Sequence, residues 1–137
     1  MARNHTLADF IASMSIKMTV RPAKGNPLME SADREMHHWN CRLSSMGRQM
    51  GVVFSMGSGF NGREPILAEV LDSLASDAAG VENARDFADW CGEYGYDTDS
   101  RKAERTYRAC ARIAKRLQRL CGSDGAYQAL LFNTDRE

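Results

Sequence analysis

The stretch Arg101-Lys-Ala-Glu-Arg-Thr-Tyr-Arg-Ala-Cys-Ala-Arg-Ile-Ala-Lys-Arg-Leu-Gln-Arg-Leu-Cys121 has the clearest helical periodicity in the chain. Its apolar residues recur in steps of four and three, which predicts one buried seam along an amphipathic helix. The seam comprises Ala103, Tyr107, Cys110, Ala114, Leu117 and Cys121. Asp99 or Thr98 is predicted to cap this helix, and Gly122 is predicted to end it.

Six cations of the same stretch repeat in nearly the same steps, two residues out of phase with the seam. These cations, called the basic stripe below, are Arg101, Arg105, Arg108, Arg112, Lys115 and Arg119. Two residues turn a helix by about 200°, so the basic stripe is predicted to lie opposite the seam over roughly 27 Å. Such a row could contact phosphates or an acidic protein surface. It could also be a solvated outer face, or pair with acidic helices of the same chain.

An acidic segment precedes the basic stripe, although the formal net charge of the whole chain is zero. Residues 63–97 contain nine acidic and two basic side chains, whereas residues 98–137 contain five acidic and nine basic ones. Acidic helices could imitate the phosphates of a nucleic acid, or they could simply keep the protein soluble. Separate patches of each sign are what a charged partner would feel. The candidate partner-binding residues are therefore the basic stripe together with Glu69, Asp72, Asp86 and Asp89.

The remaining patterns predict one α+β domain over residues 1–137. Residues 1–62 are predicted to form a short N-terminal helix and an antiparallel sheet of about three strands, and residues 63–137 to form four helices. The elements of the first part are a helix over Leu7–Met14, a strand over Ile16–Arg21, a loop over Pro22–Asp33, and a hairpin of strands Met36–Leu43 and Met50–Met56 around a turn at Ser44–Arg48.

In residues 63–137, prolines, glycines and short polar residues predict where the helices begin and end. Pro65 suits a first helical position, and Gly80 is predicted to break the helix that follows. Gly95 is predicted to end the next helix, and Asp124 to cap the last one. The apolar face of the middle helix is predicted to comprise Ala84, Phe87, Ala88, Cys91 and Tyr94, and that of the last helix Tyr127, Leu130 and Leu131.

We find no residue pattern that predicts catalysis, a cofactor or a metal. His37, His38 and Cys41 could ligate a metal, but adjacent strand residues point to opposite faces, and a zinc site needs three or four ligands. The glycines of Gly57–Gly62 resemble a phosphate-binding loop without its Lys and Ser or Thr. The four cysteines lack paired spacing, which indicates reduced thiols. The chain shows no secretory apolar core and no membrane span.

Three stretches carry a resemblance to known proteins. They are Phe54-Ser-Met-Gly-Ser58, Glu69-Val-Leu-Asp-Ser-Leu-Ala-Ser-Asp-Ala78 and Phe87-Ala-Asp-Trp-Cys-Gly-Glu-Tyr-Gly-Tyr-Asp-Thr-Asp-Ser-Arg-Lys-Ala-Glu104. Over residues 36–132 the chain resembles a family of small accessory proteins of tailed bacteriophages and prophages. The resemblance supplies no catalytic residues. It implies action by binding in the cytoplasm of the infected host, on a defence complex, a host enzyme or replicating DNA.

The resemblance and the segregated charge together predict a non-enzymatic inhibitor of a host defence system. The leading hypothesis is an anti-CRISPR protein that binds a CRISPR effector complex or nuclease and blocks DNA recruitment or cleavage. The alternative is a phage nucleic-acid-binding accessory protein for replication or recombination. The protein is expected to be a monomer or a homodimer, since the a/d-like seam could dimerise, although packing within the domain fits its short length better.

Overall fold

The computed structural model describes residues 6–23, 37–57 and 63–136 of the chain, with side chains up to residue 134. The described elements are α1 (Leu7–Ser13), β1 (Lys17–Pro22), β2 (His37–Ser45), β3 (Arg48–Met56), α2 (Leu67–Asn83), α3 (Phe87–Tyr94), α4 (Arg101–Cys121) and α5 (Asp124–Arg136). The predicted α+β class is confirmed, with a short N-terminal helix, a sheet and then helices. Residues 24–33 of the predicted loop, residues 34–36, which include the first residue of the predicted strand Met36–Leu43, and residues 58–62 of the glycine-rich stretch lie outside the described residues.

The three strands form an antiparallel meander in the order β1-β2-β3. Met46 and Gly47 form the hairpin turn with φ angles of 50° and 83°, the left-handed values that a two-residue type I′ turn requires. The turn is thus shorter than predicted, and each strand of the hairpin is longer. Pro22, predicted to open a loop, is instead the last residue of β1, where an edge strand tolerates its missing N–H.

One face of the sheet is buried and the other faces solvent. Trp39, Cys41, Leu43, Met50 and Met56 share the main core with residues of α1, α2, α4 and α5. The alternating residues between them are mostly exposed, as period-two patterning predicts. The helices of the main core therefore all lie on the same side of the sheet.

Helix α4 belongs to both cores of the molecule. Its C-terminal half contributes Ala114, Leu117 and Leu120 to the main core. Its N-terminal half contributes Ala103 to a second cluster with Trp90 and Cys91 of α3. This second cluster is aromatic, since the Trp90 ring stacks on Tyr96 and contacts Tyr94 and Tyr107, and the rings of Phe87 and Tyr107 meet edge to face. Helix α4 is consequently fixed along its whole length.

Gly80 does not break α2, which runs on to Asn83. The reason is a close approach rather than a turn. A Cβ added at Gly80 would overlap the Tyr94 hydroxyl oxygen and lie 3.0 Å from the ring carbon that bears it. Glycine at this position lets the Tyr94 ring of α3 cross α2, so the residue serves packing between helices.

Several predicted helix starts are wrong by one or two residues. Pro65 lies outside α2, which begins at Leu67, and the N–H of the N-cap residue Ile66 donates to the Glu69 carboxylate at 3.0 Å. Helix α4 is capped by Ser100, not by Asp99 or Thr98. At α5 the Ser123 hydroxyl accepts from the N–H of Ala126, so Asp124 lies inside the first turn. Short polar side chains cluster at these starts, and their order in sequence alone does not reveal which one adopts the cap geometry.

The predicted apolar face of α3 is partly wrong. Trp90 and Cys91 are its buried residues, whereas Ala88 is exposed and Tyr94 is about half exposed. The short helix places Trp90 at the centre of the aromatic cluster, and this larger ring decides which face is buried. Gly95, at φ 75°, ends α3 as predicted.

Candidate macromolecular interface

The basic stripe is carried by a helix with two well-formed ends. The Ser100 hydroxyl accepts from the N–H of Ala103 at 3.2 Å, which satisfies one of the free donors of the first turn. At the other end Gly122 adopts φ 82° and its N–H donates to the Gln118 carbonyl. Such ends and a buried seam hold the intervening side chains in a fixed order along the helix.

The seam of α4 faces the interior. Ala103, Ala114 and Leu117 are buried, and the rest of the seam is half-buried. Burial raises the pKa of the Cys121 thiol to about 11 and raises that of the Cys110 thiol. The nucleophilic form of cysteine is the thiolate. These two thiols are therefore packing groups of the seam.

The side chains of the basic stripe are all exposed, on the side of α4 opposite the seam: Arg101, Arg105, Arg108, Arg112, Lys115 and Arg119. The geometric prediction from the spacing is confirmed. With a rise of 1.5 Å per residue, the stripe spans roughly 27 Å.

Among the residues that the structure describes, the basic stripe forms no salt bridge with the acidic helices α2 and α3. Its one salt bridge in this part of the chain joins Arg108 to Glu104, at 2.6 Å and one turn away on the same helix. Both side chains are more than half exposed, and pairs of this kind contribute about 0.3–0.5 kcal/mol. The alternative that the stripe pairs with the acidic segment therefore has no support among the described residues.

Most of the candidate acidic residues form the starts of their own helices. Glu69 accepts two hydrogen bonds from Arg63, at 2.8 and 2.7 Å, and one from the N–H of Ile66 at 3.0 Å. The hydrogen bond from Arg63 is the main reason that the pKa of Glu69 is lowered. Asp86 accepts from the N–H of Asp89 at 2.8 Å, and Asp89 accepts from the N–H of Arg85 at 3.1 Å.

These three carboxylates are committed to capping, which reduces what they can offer a partner. Asp72, the fourth candidate, is exposed on α2. The acidic candidates thus lie at the start of α2, further along it and at the start of α3, whereas the basic candidates follow one another along a single helix. Of the two charged surfaces, the basic stripe is the more continuous.

Two further cations lie beside the basic stripe. Arg116 donates Nη2 to the carbonyl oxygen of Gly51 in β3 at 2.9 Å. The Arg48 guanidinium lies over the end of α4, since a Cβ added at Gly122 would be 2.8 Å from its Nη1. Together with Lys115, Arg119 and the acidic Asp124, Arg48 lines a surface depression of about 420 Å³. Helical periodicity could not reveal Arg48, which comes from the start of β3, more than 60 residues earlier in the sequence.

The structure separates the residues considered for metal binding. His37 and His38 are neighbours on β2 and so point to opposite faces of the sheet. His38 Nδ1 lies 2.7 Å from the Ser55 hydroxyl, and Cys41 is buried on the inner face. Among the described residues, no group of three or more His, Cys, Asp or Glu side chains is placed to hold a metal ion.

Within the described ranges, no helix combines the length and the apolar character that crossing a bilayer requires. Comparison of the chain with protein-family models, curated proteins and solved structures gives no match.

Proposed function

We propose that the protein is a non-enzymatic, phage-encoded inhibitor that binds a host defence complex through the basic stripe. The most specific form of this proposal is an anti-CRISPR protein that occupies an acidic surface of a CRISPR effector or nuclease and blocks DNA recruitment or cleavage. The observation that carries the proposal is that six exposed cations follow one face of α4 and the acidic helices of the same chain do not pair with them among the described residues.

The chemistry of the stripe suits a protein partner with carboxylates in a row. Five of its six members are arginines, whose planar guanidinium groups can bind a carboxylate through two parallel hydrogen bonds. Helix α4 is held by both cores, so little ordering of backbone is needed on binding. Complementary charge would also speed the encounter at low ionic strength, because long-range attraction steers association.

The second candidate function is binding of nucleic acid in phage replication or recombination. The observation that favours it is the addition of Arg116 and Arg48 to the stripe, which widens the cationic surface near the C-terminal end of α4. For a phosphate-binding surface, the logarithm of the binding constant falls linearly with the logarithm of the salt concentration, and each lost contact with duplex DNA reduces the steepness of this line by about one. Direct capture of a protein partner would survive nuclease treatment, so the two candidates differ in a simple observable.

The test is affinity capture from host lysate with tagged protein, in the presence and absence of nuclease. The stripe variant is Arg105→Gln/Arg112→Gln, and the matched control is Lys102→Gln/Arg85→Gln, which removes two exposed positive charges outside the stripe. The proposal expects a CRISPR effector or another defence complex to be recovered by wild type and control, with nuclease present, and lost in the stripe variant. Recovery of nuclease-sensitive material alone supports the second candidate and contradicts the first.

A further inference from the structure

The three strands carry positive charge only. In β1, β2 and β3 there are four Lys or Arg residues and no Asp or Glu: Lys17, Arg21, Arg42 and Arg48. The whole chain has equal numbers of basic and acidic side chains, so this composition is a segregation of charge distinct from that of α4. The first three of these cations are exposed on the outward face of the sheet, opposite the face that packs on the helices.

The register of the strands places these cations close together. Lys17 and Arg21 point the same way on β1 and lie four residues apart, or roughly 13 Å. Arg42 lies on the neighbouring strand opposite Thr19, midway between them, and strands are about 4.8 Å apart. Arg42 is further held by donating Nη1 to the Gln49 side chain at 3.3 Å. The three cations thus form a compact triangle on one face.

The same face has a depression in which polar groups accompany the cations. Its volume is about 670 Å³. Its outward-facing lining comprises Thr19, Arg21, Asn40, Arg42, Gly51 and Val53. Threonine and asparagine add neutral hydrogen-bonding groups, and Val53, which is 59% exposed, adds an apolar surface. The depression therefore offers contacts for anionic, polar and apolar parts of one ligand.

The shape of this face distinguishes between forms of nucleic acid. The major groove of duplex DNA admits a helix or a two-stranded ribbon. Here three strands lie side by side with helices packed behind them, so the face is a platform that cannot enter a groove. A flat cationic face is compatible with a single strand, whose phosphates are accessible without entry into a groove.

From charge, register and shape together, we propose that the outward face of the β-sheet binds the backbone of a single-stranded nucleic acid through Lys17, Arg21 and Arg42. Arg116 links this surface to α4, because it bonds to the carbonyl of Gly51, which also lines the depression. In the described part of this face the one aromatic ring is that of His38, which is partly buried. Stacking on bases is therefore limited, and contacts with phosphates dominate. Binding is therefore strongly salt-dependent and weakly selective for sequence.

The experiment is a fluorescence-anisotropy titration of the full chain with a labelled oligothymidylate of about 12 nucleotides, at several salt concentrations. The sheet variant is Arg21→Gln/Arg42→Gln, and the matched variant is Lys102→Gln/Arg85→Gln, which removes the same charge from exposed positions outside both the sheet and the basic stripe. The sheet variant is expected to bind about tenfold more weakly or worse, whereas the matched variant changes the affinity less than threefold. Loss of two contacts lowers the salt slope by about 1.4.

Equal weakening of the two variants would show attraction by net charge alone and would overturn the proposal, as would full displacement of the oligonucleotide by an equal charge of polyglutamate. If the sheet variant does not fold, the site is located by the changes in the amide chemical shifts of the wild type when the oligonucleotide is added. Shifts confined to Thr19, Asn40 and their neighbours support the site, and shifts confined to α4 contradict it. The sheet variant is expected to retain capture of the stripe's protein partner, so this proposal and the proposed function can fail independently.

Discussion

Gly80 and Tyr94 are predicted to be energetically coupled. Replacing a glycine in a helix interior by alanine normally stabilises a protein by about 0.5–1 kcal/mol, because alanine restricts the unfolded chain and favours the helix. Gly80 lies inside α2, so helix propensity alone expects Gly80→Ala to be stabilising. The new methyl group would overlap the Tyr94 hydroxyl oxygen, and overpacking of this kind costs about 1–3 kcal/mol.

The Tyr94 ring is 51% exposed and can move, which places the cost near the lower end of that range. We therefore expect Gly80→Ala to destabilise the wild type by about 0.5 kcal/mol and to stabilise the Tyr94→Ala background by about 0.5–1 kcal/mol. The coupling energy is then about 1–1.5 kcal/mol. Urea unfolding of the wild type, both single variants and the double variant measures it. An equal effect of Gly80→Ala in both backgrounds would refute the close approach.

Three further predictions concern the ends and the seam of α4. Gly122→Ala is expected to destabilise the folded protein by about 1–2 kcal/mol, because φ is 82° at this position and the added methyl group would meet the Arg48 side chain. Gly125→Ala is the control, since its methyl group enters open space, and equal unfolding midpoints of the two variants would contradict the prediction. Ser100→Ala removes the cap of α4 and is expected to lower the free energy of unfolding by about 1 kcal/mol, whereas Ser100→Asp, which keeps an acceptor, should lower it less. An unchanged thermal midpoint of Ser100→Ala would contradict this prediction. The pKa of Cys121 is raised by burial from 9.0 to about 11, so the folded state holds this proton more tightly and its contribution to stability, complete below pH 9, is lost as pH rises through about 11. Stability of the wild type should thus fall more steeply over this window than that of Cys121→Ala, and parallel pH profiles would be inconsistent with a buried thiol.

Periodicity was sufficient to predict the main features of the fold. The alternation around Trp39 and Phe54 predicted the hairpin, and the offset of two residues between Ala103 and Arg105 predicted which side of α4 is exposed. Both are local patterns, in which one face meets apolar neighbours regardless of their identity. The fold class therefore follows from the sequence even though the packing partners do not.

The wrong predictions have two physical origins, a contact between different helices at Gly80 and local competition at the helix starts. A glycine inside a helical pattern suggests a helix end, but Gly80 is required by the ring of Tyr94, which lies 14 residues later in the sequence. Ser100 and Ser123 replaced the predicted caps because several short polar residues compete at each start.

The candidate interface was predicted only in part, because residues distant in sequence contribute to it. Its helical row is visible in the sequence, whereas Arg48 joins it from the start of β3. The absence of acidic residues from residues 37–57 was a signal that could have drawn attention to the sheet. It does not show which face Arg21 and Arg42 occupy, since that depends on the pairing register of β1 with β2.

The most direct test of the central claim is phage plating on a host with an active CRISPR system that targets the phage. The host expresses the wild type, the stripe variant Arg105→Gln/Arg112→Gln or the control Lys102→Gln/Arg85→Gln, at equal protein levels. The account predicts that wild type and control restore plaque formation and that the stripe variant does not. Unchanged interference in cells that express the wild type would contradict the proposed inhibition. Equal activity of the stripe variant would contradict the assignment of the basic stripe.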